Sequence, residues 1–352
     1  MFKRTGWLLG VAVALICAAS AAAPQAAAFT SITAETWPRN VVLIGWDGAQ
    51  REHVQQCLSR GELPNLAALG KAGALVDIDI SETTDTKAGW SQILTGYSAK
   101  ITGVYSNSHY QPIPQGYTIF ERLEQHFGAH AVATLAVIGK DQHVGNDPPQ
   151  RIRLNAAGDA PANGLKKGQA ARKAWRKKMA QGKVVEEDGA KYLETPGCPY
   201  YITQNSMDLF QNGLHKNDVV GARALEVLGH YKGQRFFLFV HFADVDSQGH
   251  KFGENSPEYT AALISCDEWL GRIAAKLREL GIDADTTIYV TADHGFDEGM
   301  RQHRDAPYVF LGTNDRAVTR AGNRMDIAPT IMQRLGLDLG SFTPPLSGKP
   351  LT

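Results

Sequence analysis

The sequence predicts a three-layer α/β fold, a doubly wound and mostly parallel sheet with helices on both faces and an inserted subdomain. Short apolar runs recur at residues 40–46, 132–138, 236–242 and 287–291. They are almost continuously apolar rather than alternating, as strands buried on both faces are. Helix-period segments separate them, which is the order of a sheet covered on both sides. Polar residues then collect where strands end, as in Asp47-Gly48 and Asp293-His294.

Taken in order, residues 40–46 form a strand that delivers Asp47 at its C-terminal end, where ligands gather in open α/β sheets. Helices are expected at about 50–60 and 64–71, a strand at 74–80, helices at about 86–94 and 119–127, and a strand at 132–138. Periodicity fades from 141 to about 213, where Pro148-Pro149, a polar stretch and the basic run between Lys166 and Lys183 replace it. This stretch reads as the insertion, and its basic run as a solvated helix face or an anion-attracting rim. Regular order resumes with a helix at 218–231, a strand at 236–242, a long helix at 257–280, strands at 287–291 and 308–311, and a closing helix at 325–335.

The N-terminus is built differently. Lys3 and Arg4 precede an apolar run from Trp7 to about Cys17, and small residues fill the stretch to Ala28. That is the order of a signal peptide, with cleavage after Ala23 or Ala28. The apolar run is too short for a comfortable membrane span. Residues 1–28 are therefore expected to be removed, leaving 29–352 as one periplasmic or secreted domain without stable membrane insertion. Lysine plus arginine balances aspartate plus glutamate at 36 each, so no global charge points to nucleic acid, and a small-molecule partner is expected. Cys57, Cys198 and Cys266 have no CxxC spacing, so no thiolate metal site is signalled, although one disulfide among them is allowed.

The chemistry-bearing residues form a pattern. Asp47 follows a strand, Asp246 and His250 stand four apart in an expected DSQGH loop, Asp293-His294-Gly295 follows another strand, and His303 lies nine residues beyond His294. Carboxylates and imidazoles are the ligands that zinc and similar ions take when thiolates are absent. These residues exceed one site, and an adjacent Asp-His pair suits a position between two ions. His241, on a buried strand, reads as a core histidine bonded to the backbone.

The order Asp47, Thr86 with Thr95-Gly96, DSQGH, ADHG and His303 resembles the alkaline phosphatase superfamily. It is most similar to the type I phosphodiesterase and nucleotide pyrophosphatase branch, over about residues 40–340. In that branch a nucleophilic Thr opens a helix ending in Thr-Gly, and an Asn follows twenty-one residues later, the spacing of Thr86 and Asn107. The stretch from Thr102 to Asn107 resembles the family's HGI-containing segment, with Thr102 in place of its His. DSQGHKFG resembles its DSSGHKYG. The tail from His303 to Phe310 is closer to phosphopentomutases and phosphoglycerate mutases.

The resemblance implies an alkaline-phosphatase-like fold and two divalent ions, zinc or alternatively manganese. Asp246, His250 and His303 would hold one, and Asp47, Thr86, Asp293 and His294 the other. It implies attack by Thr86 on a phosphoester, a phosphothreonine intermediate, and contacts from Asn107 to the non-bridging oxygens. Metal coordination and a helix N-terminus both favour the threonine alkoxide. Sulfatases of the same superfamily make formylglycine from Cys or Ser, which threonine cannot give, although Gly139-Lys140-Asp141-Gln142-His143 resembles their GKWH segment. Lys140 and His143, with Lys87 beside the nucleophile, are thus candidates to bind a phosphomonoester dianion, while a diester would offer a second group to a pocket. The alternatives are a sulfatase-like or phosphoryl-transferring relative and a non-catalytic metal- or anion-binding protein.

Overall fold

The structure, a computed structural model, describes residues 26–352, so the signal-peptide segment lies outside the described residues except at its end. The elements run β1 (Asn40–Trp46), α1 (Arg51–Ser59), α2 (Pro64–Ala72), β2 (Ala74–Asp79), α3 (Thr86–Thr95), α4 (Ala99–Thr102), α5 (Ile119–Phe127) and β3 (Val132–Ile138). Then come β4 (Gln150–Arg153), α6 (Gln169–Gln181), β5 (Lys183–Glu187), β6 (Ala190–Thr195) and β7 (Leu209–Gln211). The last group is α7 (Asn217–Tyr231), β8 (Arg235–Phe242), α8 (Asp244–Phe252), α9 (Pro257–Glu279), β9 (Thr286–Thr291), β10 (Tyr308–Thr313), β11 (Gly322–Asn323) and α10 (Ile327–Arg334).

Eight strands form one sheet in the order β11-β2-β10-β9-β1-β8-β3-β7. Only β10 runs against its neighbours. Central β1 pairs in parallel with β8 on one side and β9 on the other, and every β1 residue is buried. Helices α2, α7 and α9 pack on one face of the sheet, and α3, α5 and α10 on the other. Because these strands are parallel, their carboxyl ends share one edge, and the chemistry-bearing residues follow them there.

Local chemistry sets the helix ends. Thr118 and Glu121 form a capping box at α5, and Ser256 followed by Pro257 opens α9. Gly96, at φ 74°, closes α3 in the left-handed conformation that glycine adopts without a Cβ penalty. No side chain of its own caps α2. Instead Asp267 of α9 accepts the N–H groups of Asn65 at 3.0 Å and Leu66 at 2.7 Å.

Several expectations are corrected. The DSQGH segment is helical within α8 rather than a loop, so the four-residue spacing puts Asp246 and His250 one turn apart on one face. The stretch 141–213 is not a single unit, because β7 joins the main sheet beside β3. Within it, β4, β6 and β5 form a separate antiparallel sheet. Its β5–β6 turn has Asp188 at φ 52° and Gly189 at φ 72°, the two positive φ values of a type I′ turn. The basic run forms α6, none of whose residues is buried. Cys57, Cys198 and Cys266 are all free and buried. Among the described residues no helix is long and apolar enough to cross a membrane.

Replacing Asp267 with Ala strands two buried helix-initial N–H groups. Urea unfolding is expected to show a loss of about 2 kcal/mol, and an unchanged midpoint and slope would remove Asp267 as the cap of α2.

Candidate metal centre

Five segments meet at the carboxyl edge of the sheet. β1 ends at Asp47, β9 leads through Ala292 to Asp293 and His294, α8 carries Asp246 and His250, α3 begins at Thr86, and the loop after β9 brings His303. Ligand atoms of Asp246, His250 and His303 all lie within 4.8 Å of one another, and so do those of Asp47, Asp293 and His294. At the middle is His294 Nε2, 3.3 Å from Thr86 Oγ1, 3.5 Å from Asp47 Oδ1, 3.5 Å from Asp293 Oδ2 and 3.7 Å from Asp246 Oδ1. The His303 ring stacks on that of His294, centroids 3.9 Å apart.

The histidines are oriented from behind. His294 Nδ1 lies 2.9 Å from the carbonyl oxygen of Gly295, and His250 Nδ1 lies 2.8 Å from that of Arg301. A carbonyl can only accept, so each Nδ1 carries a proton and each Nε2 is turned to the cluster, where Asp246, 3.3 Å from His250 Nε2, raises the pKa of the His250 ring. Burial, with His303 alongside, lowers the His294 pKa to about 3 and keeps the ring neutral. Asp246 Oδ1 and Asp293 Oδ2 are buried without any hydrogen-bond donor. Orphan carboxylate oxygens beside unprotonated imidazole nitrogens fit divalent cations, and the residues present fit the two ions that the resemblance implies.

Thr86 is 1% exposed, and as the first residue of α3 its N–H has no intrahelical acceptor. Asn107 lies against the same turn. Its Oδ1 accepts the Lys87 N–H at 2.9 Å, and its own N–H is donated to Asp85 Oδ2 at 2.8 Å. The Asn107 NH₂ group is left free to face a ligand.

The three expected substrate cations are placed differently from one another. Lys140 donates to Asp47 Oδ1 and Asp246 Oδ2, both at 2.8 Å, so its ammonium joins the two ligand groups instead of reaching outward. Burial opposes the Lys140 charge, but Asp246 and Asp47 outweigh it and hold the pKa above the usual lysine value. For Asp47, burial is likewise outweighed by Lys140 and by the His241 hydrogen bond, which keep it well below the ordinary carboxylate range. Asp293, buried and facing Asp47 without such a bond, is pushed up. Burial, with Lys140 nearby, lowers the His143 pKa to about 4, so that ring is neutral. Lys87 turns away from the cluster, donates to the carbonyl of Gln142 and lies over the Tyr110 ring, 4.2 Å from its centroid.

His241 departs most from the sequence expectation. Its Nε2 is bonded to Asp47 Oδ2 at 2.8 Å rather than to backbone. Trp90 of α3 packs edge-on against His241 and points Nε1 at the same oxygen from 3.4 Å. Gly45, paired with His241, makes room, because a Cβ there would lie 2.2 Å from the Trp90 ring. Arg324, fully buried, donates to the Asp293 carbonyl, Gln92 Oε1 and the Thr83 carbonyl, each at 2.6 Å. Asp297 accepts the N–H groups of Arg304 and Asp305, folding the loop that carries His303. None of these supporting roles has a motif, and only the polar residues within otherwise apolar stretches hint at them.

This arrangement has known counterparts. The fold is that of the alkaline phosphatase superfamily. The alkaline phosphatase from the Antarctic bacterium TAB5 superposes with a TM-score of 0.52 at 13% identity, covering 88% of this chain and 99% of that one. The lipoteichoic acid synthase LtaP from Listeria monocytogenes gives 0.53 at 13% identity, covering 89% and 75%. More narrowly, residues 41–334 match the type I phosphodiesterase / nucleotide pyrophosphatase family, an enzyme family acting on phosphoric esters, and the chain belongs to it. Among curated relatives, the 2,3-bisphosphoglycerate-independent phosphoglycerate mutase of Natronomonas pharaonis is 28% identical over 173 residues, 45% of this chain and 31% of the mutase. That of Pseudomonas fluorescens is 32% identical over 122 residues, 30% and 22% respectively. The chain thus spans less than a third of the length of these relatives.

Gly89 of α3 lets the helix approach Asp293, since a Cβ there would lie 2.7 Å from the Asp293 Cβ. Gly89→Ala is expected to cost about 1–3 kcal/mol of stability by overpacking. Denaturant unfolding checks it, and a variant as stable as the parent would mean that α3 has slack against the cluster.

Proposed function

We propose that this protein is an exported phosphodiester hydrolase that uses two divalent ions and Thr86 as nucleophile. One observation carries the reading: a buried threonine hydroxyl opens a helix against two three-residue groups of carboxylate and imidazole ligands. Asp246, His250 and His303 would hold one ion, and Asp47, Asp293, His294 and the Thr86 oxygen the other. Zinc fits this donor set, and manganese can replace it. Bound there, the ions would supply a lowered hydroxyl pKa and neutralise charge on the phosphoryl oxygens.

The chain's own residues do the rest. Thr86 Oγ1 attacks phosphorus in line, forming the Oγ1–P bond as the P–O bond to the leaving alcohol breaks, and water then hydrolyses the phosphothreonine, breaking the Oγ1–P bond to release the phosphomonoester and regenerate the hydroxyl. The Asn107 NH₂ and Thr86 N–H groups would donate to the non-bridging oxygens. Arg324 and His241 keep the Asp293 backbone and the Asp47 carboxylate in place without touching substrate.

A diester is favoured over a monoester by how the cations are engaged. Lys140 is committed to Asp47 and Asp246, His143 is neutral, and Lys87 points away. None of these three cations is left free beside Thr86 for the second charge of a monoester. Bis(p-nitrophenyl) phosphate is expected to be cleaved faster than p-nitrophenyl phosphate, with activity lost on chelation and restored by zinc or manganese. Thr86→Ala should lower kcat by about a thousandfold or more while still binding metal. Near-parental turnover by that variant would eliminate Thr86 as nucleophile.

Export rests on the N-terminal sequence. Of the two cleavage positions, the one after Ala23 is favoured, because the Ala27 N–H is donated to Asn65 Oδ1 at 2.8 Å and the Ala28 carbonyl accepts Arg278 at 2.6 Å. Cutting after Ala28 would discard both bonds. Mass spectrometry of the exported protein is expected to find an N-terminus at Pro24, and one at Phe29 would contradict this.

A further inference from the structure

Beside the nucleophile, between α3 and the insertion, lies a cavity of about 310 Å³. Its outer wall is α6, which contributes Ala174, Lys177, Lys178 and Gln181. These stand at i, i+3, i+4 and i+7, the spacing of one helix face. On an ordinary helix the stripe turned toward the body of a protein is apolar, whereas here its middle is two lysines. The inner wall is Lys87, next in sequence to Thr86, with Tyr110.

The three ammonium groups are poorly neutralised. Lys87 is 2% exposed and spends its contacts on the neutral Gln142 carbonyl and the Tyr110 ring. Lys178 donates to Gln150 Oε1 at 2.6 Å, another neutral acceptor. One carboxylate, Asp147, shares the lining. A buried ammonium without a contacting counter-charge is costly, a cost that falls on Lys87, and an anion entering the cavity relieves it while also meeting the exposed Lys177 and half-buried Lys178. The Tyr110 face adds a flat apolar surface beside them.

We propose that this cavity is a second anion subsite, binding a carboxylate or phosphate carried on an aromatic or similarly flat part of the substrate while the scissile phosphorus lies at Thr86. The subsite rests on the hydrolase reading for its register with the nucleophile, and on the cavity alone for its charge. It gives the insertion a task, since α6 supplies two of the three cations.

The test compares two diesters with the same leaving group, p-nitrophenyl phenyl phosphate and p-nitrophenyl 4-carboxyphenyl phosphate. The carboxylated ester is expected to have the higher kcat/KM, about tenfold, mainly through KM. In Lys177→Gln/Lys178→Gln that preference should fall to about one, whereas Lys166→Gln/Lys167→Gln, outside the cavity lining, should keep it. A preference that survives the first pair, or a parent that prefers the neutral ester, overturns the subsite. If neither ester is cleaved with metal present, the hydrolase reading fails, and calorimetric titration with 4-carboxyphenyl phosphate decides the subsite alone. Binding weakened about tenfold by Lys177→Gln/Lys178→Gln supports it, and binding that is absent or unaffected refutes it.

Discussion

The structure turns on the confinement of three carboxylates, Asp47, Asp246 and Asp293, at one nearly dry edge of the sheet. Each is less than a tenth exposed, and their facing oxygens surround a single imidazole nitrogen. Charges packed so closely repel, and removing them from water costs several kcal/mol apiece unless cations compensate. Among the described residues, Lys140 is the one ammonium in direct contact, bridging Asp47 and Asp246. Asp293 has no such partner, and its carboxyl is pushed upward accordingly. The cluster is therefore built for more positive charge than its one lysine supplies, and its histidines give that charge further donor atoms.

A strained cluster needs a rigid support, and the fold provides it by close approach of backbone and helix. Parallel register sets Gly45 beside His241, the missing Cβ admits Trp90, and Trp90 with His241 fixes one oxygen of Asp47 so that the other faces the cluster. Gly89 brings α3 against Asp293 from the same face. Arg324 ties the Asp293 carbonyl to Gln92 of α3 and to Thr83 just before it. Thr86, ligand and helix are thus packed as one body, and the Thr86 hydroxyl in turn lies 3.3 Å from His294 Nε2.

Much of this was legible in the sequence, for identifiable reasons. Apolar runs ending in Asp47 and Asp293-His294 announce buried parallel strands and their carboxyl edge together. The i, i+4 spacing of Asp246 and His250 survives even though their segment reads as a loop, because Asp, Ser and Gly in the DSQGH stretch are weak helix formers and tertiary packing decides the matter. His241 was misread because a histidine inside a strand of phenylalanines carries no record of its partner, which is fixed only by the register with β1. The small sheet was missed because its strands are short and largely exposed, leaving no apolar period, although Asp188-Gly189 is a hairpin signal in its own right. The fate of Lys140 could not be read, since choosing between substrate and Asp47 with Asp246 depends on distances across three elements.

The engagement of Lys140 also bears on substrate choice through charge. Three carboxylates and one ammonium leave the cluster with an excess of two negative charges when the histidines are neutral. Two divalent ions would reverse that to an equal positive excess, which a diester monoanion reduces by one and a monoester dianion cancels. Cancellation alone would favour the monoester, but it counts charge without placing it. At Thr86 the nearby donors are neutral, the Asn107 NH₂ and the Thr86 N–H, and such donors distinguish poorly between one charge and two. Lys87, Lys177 and Lys178, none of them consumed by a ligand carboxylate, lie together on the insertion side of Thr86. On the proposed reading, discrimination by charge is displaced from the phosphoryl group to the remainder of the substrate, where electrostatic attraction to a second anion would act on binding more than on the chemical step.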